Sequence, residues 1–232
     1  MIKNILILGS KPKPTLPKKV NCIYFVNGSI YAYKNFKEAT KNHIITSDCF
    51  EEKEWLNYYK KLLQNKNINN LIILTKKNTN VKEIEKKLKL SNYKYKMLII
   101  LSQKYKKKLI INTLSRITLF RITINRPDDI KRKIKEIIKL LINKREDAKY
   151  RPSTGVLACL YAINKYRENN KIIISGMGIK KGSHAYNKYQ IYYDNHCYFD
   201  KQIFKILSKK RYIFTTDDKL SSYSGIEKLE NN

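Results

Sequence analysis

The chain has 232 residues and is 42% hydrophobic, which suits one ordinary α/β domain and excludes a mainly disordered polymer. Its longest apolar runs, at residues 5–8, 71–74, 97–101 and 172–174, fall far short of the roughly 20 residues that cross a bilayer. Lys+Arg 49 against Asp+Glu 19 gives a net charge of +30, which calls for a polyanionic partner unless A/T-rich coding has simply inflated lysine along the whole chain.

In chain order, the opening carries one lysine and then Ile5, Ile7 and their leucine neighbours, closed by Gly9. This run reads as a buried parallel strand rather than a secretory leader, so the expected compartment is the cytoplasm. Gly9, Ser10, Lys11 and Pro12 follow as a loop. Residues 20–26 read as a second strand ending at Asn27, Gly28 and Ser29, and residues 43–46 as a short third. Residues 55–64 carry Trp55, Tyr58, Tyr59, Leu62 and Leu63 on one helical face. Residues 71–74 form a strand, Val81–Leu90 a lysine-rich helix with Val81, Ile84 and Leu88 inward, and residues 97–101 another strand. Residues 104–123 fit short strands or helix equally. Asp128 and Asp129 then open a long helix with Ile130, Ile134, Ile137, Ile138, Leu141 and Ile142 at helical spacing.

Arg151, Pro152, Ser153, Thr154 and Gly155 break the chain before a helix that runs through Tyr166. Residues 172–174 form a strand stopped by Ser175 and Gly176. Residues 178–195 are polar and tyrosine-rich without periodicity. A last helix over residues 199–207 and a last strand over 211–214 precede a polar tail. Strands alternating with helices predict a single α/β domain over residues 1–232, with a mostly parallel sheet flanked by helices. Ligands of such sheets sit beyond the carboxyl ends of the strands, which draws attention to four loops: 9–12, 27–29, 151–155 and 175–195.

Each loop has a functional and an ordinary reading. Gly9 and Ser10 could let backbone amides approach a phosphate or ribose, but the segment matches neither dinucleotide nor P-loop signature, and a plain turn explains it. Ser153 or Thr154 can cap the helix, and the same end, with Arg151 beside it, can hold an anion. Tyr186, Tyr189, Tyr192 and Tyr193 can donate to phosphate oxygens and stack on sugars. An unperturbed histidine titrates near neutrality, which suits His196 to a general base, with His184 a rival; His43 falls on a strand and reads as structural. The four cysteines (Cys22, Cys49, Cys159, Cys197) show no metal or disulfide spacing, and Asp128–Asp129 and Asp217–Asp218 have no histidine partners, so no metal site is expected. Nucleic-acid motifs are absent, which leaves charge alone to support that partner.

Taken in order, these segments resemble the bacterial lipooligosaccharide sialyltransferases of glycosyltransferase family 42. The resemblance rests on Lys3-Asn4-Ile5-Leu6-Ile7-Leu8-Gly9-Ser10-Lys11-Pro12 and Phe25-Val26-Asn27. It rests also on Arg151-Pro152-Ser153-Thr154-Gly155-Val156, and on Ile174-Ser175-Gly176 leading through Gly182-Ser183 and Tyr186 to Tyr193-Asp194-Asn195-His196, with Asp200 beyond. It covers about the first 30 residues and the stretch from 151 to about 207. It implies a Rossmann-like, GT-A-like domain with a small tyrosine-rich lid over residues 178–198. The implied reaction is an inverting, metal-independent transfer of a sugar acid from a CMP-activated donor to a glycan or glycolipid acceptor, with no cofactor. By resemblance His196 is the base and Arg151 orients the reactants. Tyr186 and Tyr193 bind the phosphate, Ser153, Thr154 and Gly155 the donor carboxylate side, and Gly9, Ser10 and Asn27 the cytidine and ribose. The chain departs from the family at three places. Its lid tyrosine is shifted by one position, lysines stand at 180 and 181, and no asparagine follows the third strand, so sialic acid, Kdo and other nonulosonic acids stay open as donors. A peripheral contact with the anionic inner leaflet would fit the charge. The competing readings are a non-catalytic basic nucleic-acid-binding α/β domain and an inactive relative that keeps the fold.

Overall fold

The computed structural model describes residues 2–76, 78–125, 130, 131, 134, 137, 138, 152–178, 182–184, 187–192 and 197–229. Eight parallel strands form one sheet: β1 Asn4–Leu8, β2 Cys22–Val26, β3 Thr40–Thr46, β4 Asn67–Leu74, β5 Lys94–Leu101, β6 Lys171–Ser175, β9 Ile213–Thr215 and β10 Glu227–Lys228. Their order is β10-β9-β6-β1-β2-β3-β4-β5. The fold is α/β and Rossmann-like.

The sheet forms because its central strands are apolar on both faces. In β1, Ile5 and Ile7 join one core and Leu6 and Leu8 the other, all fully buried, so a continuous run rather than an alternating one is what burial on two sides requires. One face is covered by α1, which begins at Glu52–Glu54, widens into a π turn over Trp55–Tyr59 and closes at Lys60–Leu63, and by α2 (Val81–Leu90). The other is covered by α3 (Gln103–Leu114), α4 (Arg116–Ile124), α5 (Thr154–Tyr166), α6 (Cys197–Leu207) and α7 (Asp218–Ser224). Helix starts follow the capping residues. Asn80 accepts the Glu83 amide, Ser102 that of Tyr105 and Ser115 that of Thr118.

The observed elements correct several expectations. Residues 104–123 are helical, divided between α3 and α4. β3, β4 and β5 each begin three or four residues earlier than the apolar runs suggest, because Thr40, Lys41, Asn67 and Lys94 join the ladder as polar strand starts. The helix over residues 199–207 is not the last, since α7 and β10 follow it. Asp217 and Asp218 do not make a plain turn: Asp217 caps α7 by accepting the Lys219 amide, and Gly225 ends that helix at φ +76°. Residues 178–195 contain an antiparallel hairpin, β7 Gly182–His184 with β8 Asn187–Tyr192; residues 197 and 198 of the expected lid open α6, and residues 179–181, 185, 186 and 193–196 lie outside the described residues.

The connections reverse direction at the centre of the sheet. From β1 the chain steps through β2 to β5 in one direction, then returns to place β6 on the other side of β1. The carboxyl ends of β1 and β6 therefore flank the switch point, where open α/β sheets bind ligands. Among the described residues no helix is long and apolar enough to cross a membrane.

Candidate functional site

Three glycines meet at the switch point. Gly9 follows β1 and donates its amide to the Ser175 carbonyl at 2.8 Å, while the Lys11 amide donates to the Gly176 carbonyl at 3.0 Å. A Cβ on Gly9 would collide with the Gly176 carbonyl and lie 2.8 Å from Met177 Sδ, and one on Gly155 would lie 2.5 Å from the same sulfur. Gly176 takes φ +66°, which turns the chain sharply after β6. The loop after β1 is held across the rim by Thr15, whose carbonyl accepts from both Ser175 Oγ at 2.7 Å and Thr216 Oγ1 at 2.6 Å. Ser10 sits partly buried within this loop.

Asn27 ends β2 one strand away, since the register sets Leu8 opposite Phe25. It adopts φ +48°. Its Oδ1 accepts the Thr46 amide at 3.1 Å and its carbonyl accepts from His43 Nε2 at 2.7 Å, so the side-chain oxygen ties β2 to the end of β3. His43 is fully buried, with Nδ1 against the Tyr93 hydroxyl at 2.8 Å. Burial pulls its pKa down to about 4, so the ring is neutral and its Nε2–H serves as a fixed donor. His43 is structural, as its place on a strand implies.

The start of α5 supplies the remaining group. Ser153 Oγ accepts the Val156 amide at 3.3 Å and its carbonyl accepts that of Leu157 at 2.9 Å, which makes Ser153 the N-cap. Its own amide donates to Asp200 Oδ1 at 2.9 Å. Asp200 is buried in the first turn of α6, and burial, with the Asp200 charge adding to it, pushes the Cys159 thiol well above its usual range. Two first-turn amides, those of Thr154 and Gly155, have no acceptor among the described residues. Gly9, Ser10, Asn27, Ser153, Thr154 and Gly155 thus lie along one carboxyl rim. Arg151, Tyr186, Tyr193 and His196 lie outside the described residues, as does the side chain of His184.

Two partnerships at this rim carry no local sequence signal. Asp200 reaches Ser153 across 47 positions, and Lys11 Nζ pairs with Asp217 Oδ2 at 2.7 Å across 206. A lysine or an aspartate alone does not announce such a partner. Two shallow hollows, of about 490 and 400 Å³, lie elsewhere, one along α2 and one between the carboxyl ends of α3 and α5. The rim is the better candidate because chemistry-bearing groups converge there and the hollows expose mainly lysine, asparagine and alkyl stems. Among the described residues no group of three or more His, Cys, Asp and Glu is placed to hold a metal ion. Comparison with family models, with curated proteins and with solved structures gives no match for this chain.

Proposed function

We propose that the protein is an inverting glycosyltransferase that moves a sugar acid from a CMP-activated donor to a glycan hydroxyl. The observation that carries this reading is convergence. Segments far apart in the chain, ending β1, β2 and β6 and starting α5, come to one rim at the switch point, and they are the segments on which the family resemblance rests.

In this reading His196 takes the proton of the acceptor hydroxyl as that oxygen attacks the anomeric carbon. The bond from that carbon to the phosphate oxygen breaks on the opposite face, and CMP departs with the bonding pair. Tyr186 and Tyr193 donate to the phosphate oxygens as charge builds, the interaction that lowers the barrier. Arg151 orients the reactants. The bonds at the rim refine the remaining roles. Asn27 has committed its oxygen, so its Nδ2 hydrogens are what it would offer the ribose or cytosine. Ser153 has committed its amide and hydroxyl lone pair, so the Thr154 and Gly155 amides are the donors left for the sugar acid. The reaction needs no cofactor, and the family chemistry uses no metal.

The test is CMP release from CMP-Neu5Ac and from CMP-Kdo by the full chain and by His196→Ala. The variant should lose transfer while still gaining thermal stability from CMP, because binding to the folded state raises apparent stability by mass action. Unchanged CMP release in the variant would remove His196 from the mechanism. The competing reading, a basic nucleic-acid-binding domain, draws on the net charge of +30, part of which falls at the amino ends of strands, as with Lys41, Lys94 and Lys171. Salt-sensitive binding to oligonucleotides, with no response to CMP, would favour it.

A further inference from the structure

The strongest feature outside the rim is an apolar stripe that the fold leaves in solvent. α4 buries Leu119 and Ile122 and exposes Ile117, Phe120 and Ile124, whose spacing of three and four sets them on one helical face. The next described positions repeat the pattern. The backbone is helical at residues 130, 134 and 138, and the isoleucines there are 70%, 52% and 46% exposed. Helical spacing alone leaves open what this face meets; in the fold these isoleucines meet solvent. Six large apolar side chains in two successive runs are too many to be scattered surface residues.

The surrounding charge indicates the partner. Residues 116–139 carry eight Lys and Arg against three Asp and Glu. A second copy of the same face would bring like charges together. A nucleic acid would use the cations but gain nothing from the isoleucines. An anionic bilayer uses both, with apolar side chains in the acyl boundary and cations at the lipid phosphates. The segment is too charged to span the bilayer, which leaves an in-plane contact. We infer that the exposed apolar side chains of α4 and of residues 130, 134 and 138 form a docking surface for an anionic lipid bilayer.

This surface is tied to the rim. The Tyr198 hydroxyl, in the first turn of α6, donates to the carbonyl of Asn125, the residue that ends α4, at 2.8 Å. The same turn of α6 carries Asp200, bonded to the start of α5. Docking would therefore hold the carboxyl rim beside the membrane surface, whichever reaction the rim performs.

The experiment is co-sedimentation of the full chain with vesicles of phosphatidylcholine alone and with one third phosphatidylglycerol. Binding should require the anionic lipid. The triple variant Ile130→Glu, Ile134→Glu, Ile138→Glu should partition at least about tenfold more weakly, because it removes apolar contact and adds repulsion. Lys82→Gln, Lys86→Gln, Lys89→Gln makes the same change in net charge on exposed positions of α2 and should bind within about twofold of the parent, since its cations lie off the docking face. Ile117→Ser with Ile124→Ser, chosen to keep helix and charge intact, should weaken binding in the same direction. Equal binding by the isoleucine variants, equal loss in the lysine control, or no binding to anionic vesicles would overturn the inference. So would a concentration-dependent dimer, or an RNA complex, that the triple variant abolishes.

Discussion

Replacing Gly9 by alanine tests the packing at the switch point. Gly9 does not need the left-handed backbone that Gly176 uses; it needs space. The added methyl would collide with the Gly176 carbonyl and crowd Met177 Sδ at 2.8 Å. The sulfur can swing away on flexible torsions, but the carbonyl cannot retreat cheaply. It accepts from the Lys11 amide at 3.0 Å, and the peptide before it is fixed by the Gly9 amide on Ser175 at 2.8 Å. Relief means parting β1 from β6 and losing at least one of these bonds, at about 2–4 kcal/mol for overpacking plus a lost hydrogen bond. For a chain of this size that lowers the melting temperature by about 5–15 °C. Gly155→Ala is the matched control. Its methyl would lie 2.5 Å from the same sulfur, but the obstacle is only the methionine side chain, and alanine suits a helix better. Its stability should stay within about 1 kcal/mol of the parent. Thermal and urea unfolding followed by circular dichroism measure both. If Gly155→Ala proves the more damaging, the contrast between backbone and flexible obstacle is wrong.

Three further outcomes follow from the same bonds. His43 should make stability fall on acidification. Its folded pKa of about 4 lies below the unfolded 6.5, so the unfolded state binds the extra proton between these values. Stability is full above about pH 6.5, and a loss approaching about 3 kcal/mol accumulates by pH 4. His43→Gln should flatten that part of the urea-derived profile, and an unchanged slope would assign the titration elsewhere. Asp217→Ala should cost about 1–2 kcal/mol, because it removes both the cap of α7 and the partner of Lys11. Lys11→Ala removes only a partly exposed pair and should cost less than about 1 kcal/mol; equal losses would show that the cap contributes nothing. Asp200→Ala should lower stability by about 1–2 kcal/mol, since it strands the partly buried Ser153 amide at the start of α5. Denaturant midpoints read these differences directly, and a neutral Asp200→Ala would mean that water replaces the carboxylate.

The sheet was legible where burial on two faces writes itself as an unbroken apolar run, as at Ile5–Leu8 and Ile172–Ile174. It was not legible where a strand begins with polar residues. Asn42 is almost fully buried in β3, yet its side chain is satisfied by Cys22 Sγ and the Ile23 carbonyl, contacts supplied by the neighbouring strand. No local pattern encodes that partner. The segment closing the chain failed for a different reason. Two adjacent aspartates suit a turn as well as a cap, and only the buried Leu220 and the left-handed Gly225 five residues on decide for a helix. Likewise, helical spacing marked out Ile130, Ile134 and Ile138, but spacing cannot say whether a face meets a core or solvent.

The rim shows the same division between pattern and partner. Its glycines, its Asn27 and its helix start were visible as loops at strand ends, because strand position alone fixes where loops fall. What they hold was not visible. The start of α5 looks in sequence like an open anion site, with a cap, a glycine and an arginine nearby. In the fold a carboxylate already occupies part of it, since Asp200 takes the Ser153 amide and offsets the positive end of the helix. A ligand there meets two remaining amides rather than the full field of the helix. That suits a sugar acid's carboxylate or hydroxyl better than a phosphate dianion. It also shifts the burden of stabilising a departing phosphate onto side chains outside this helix, the role the proposed reaction gives to its tyrosines.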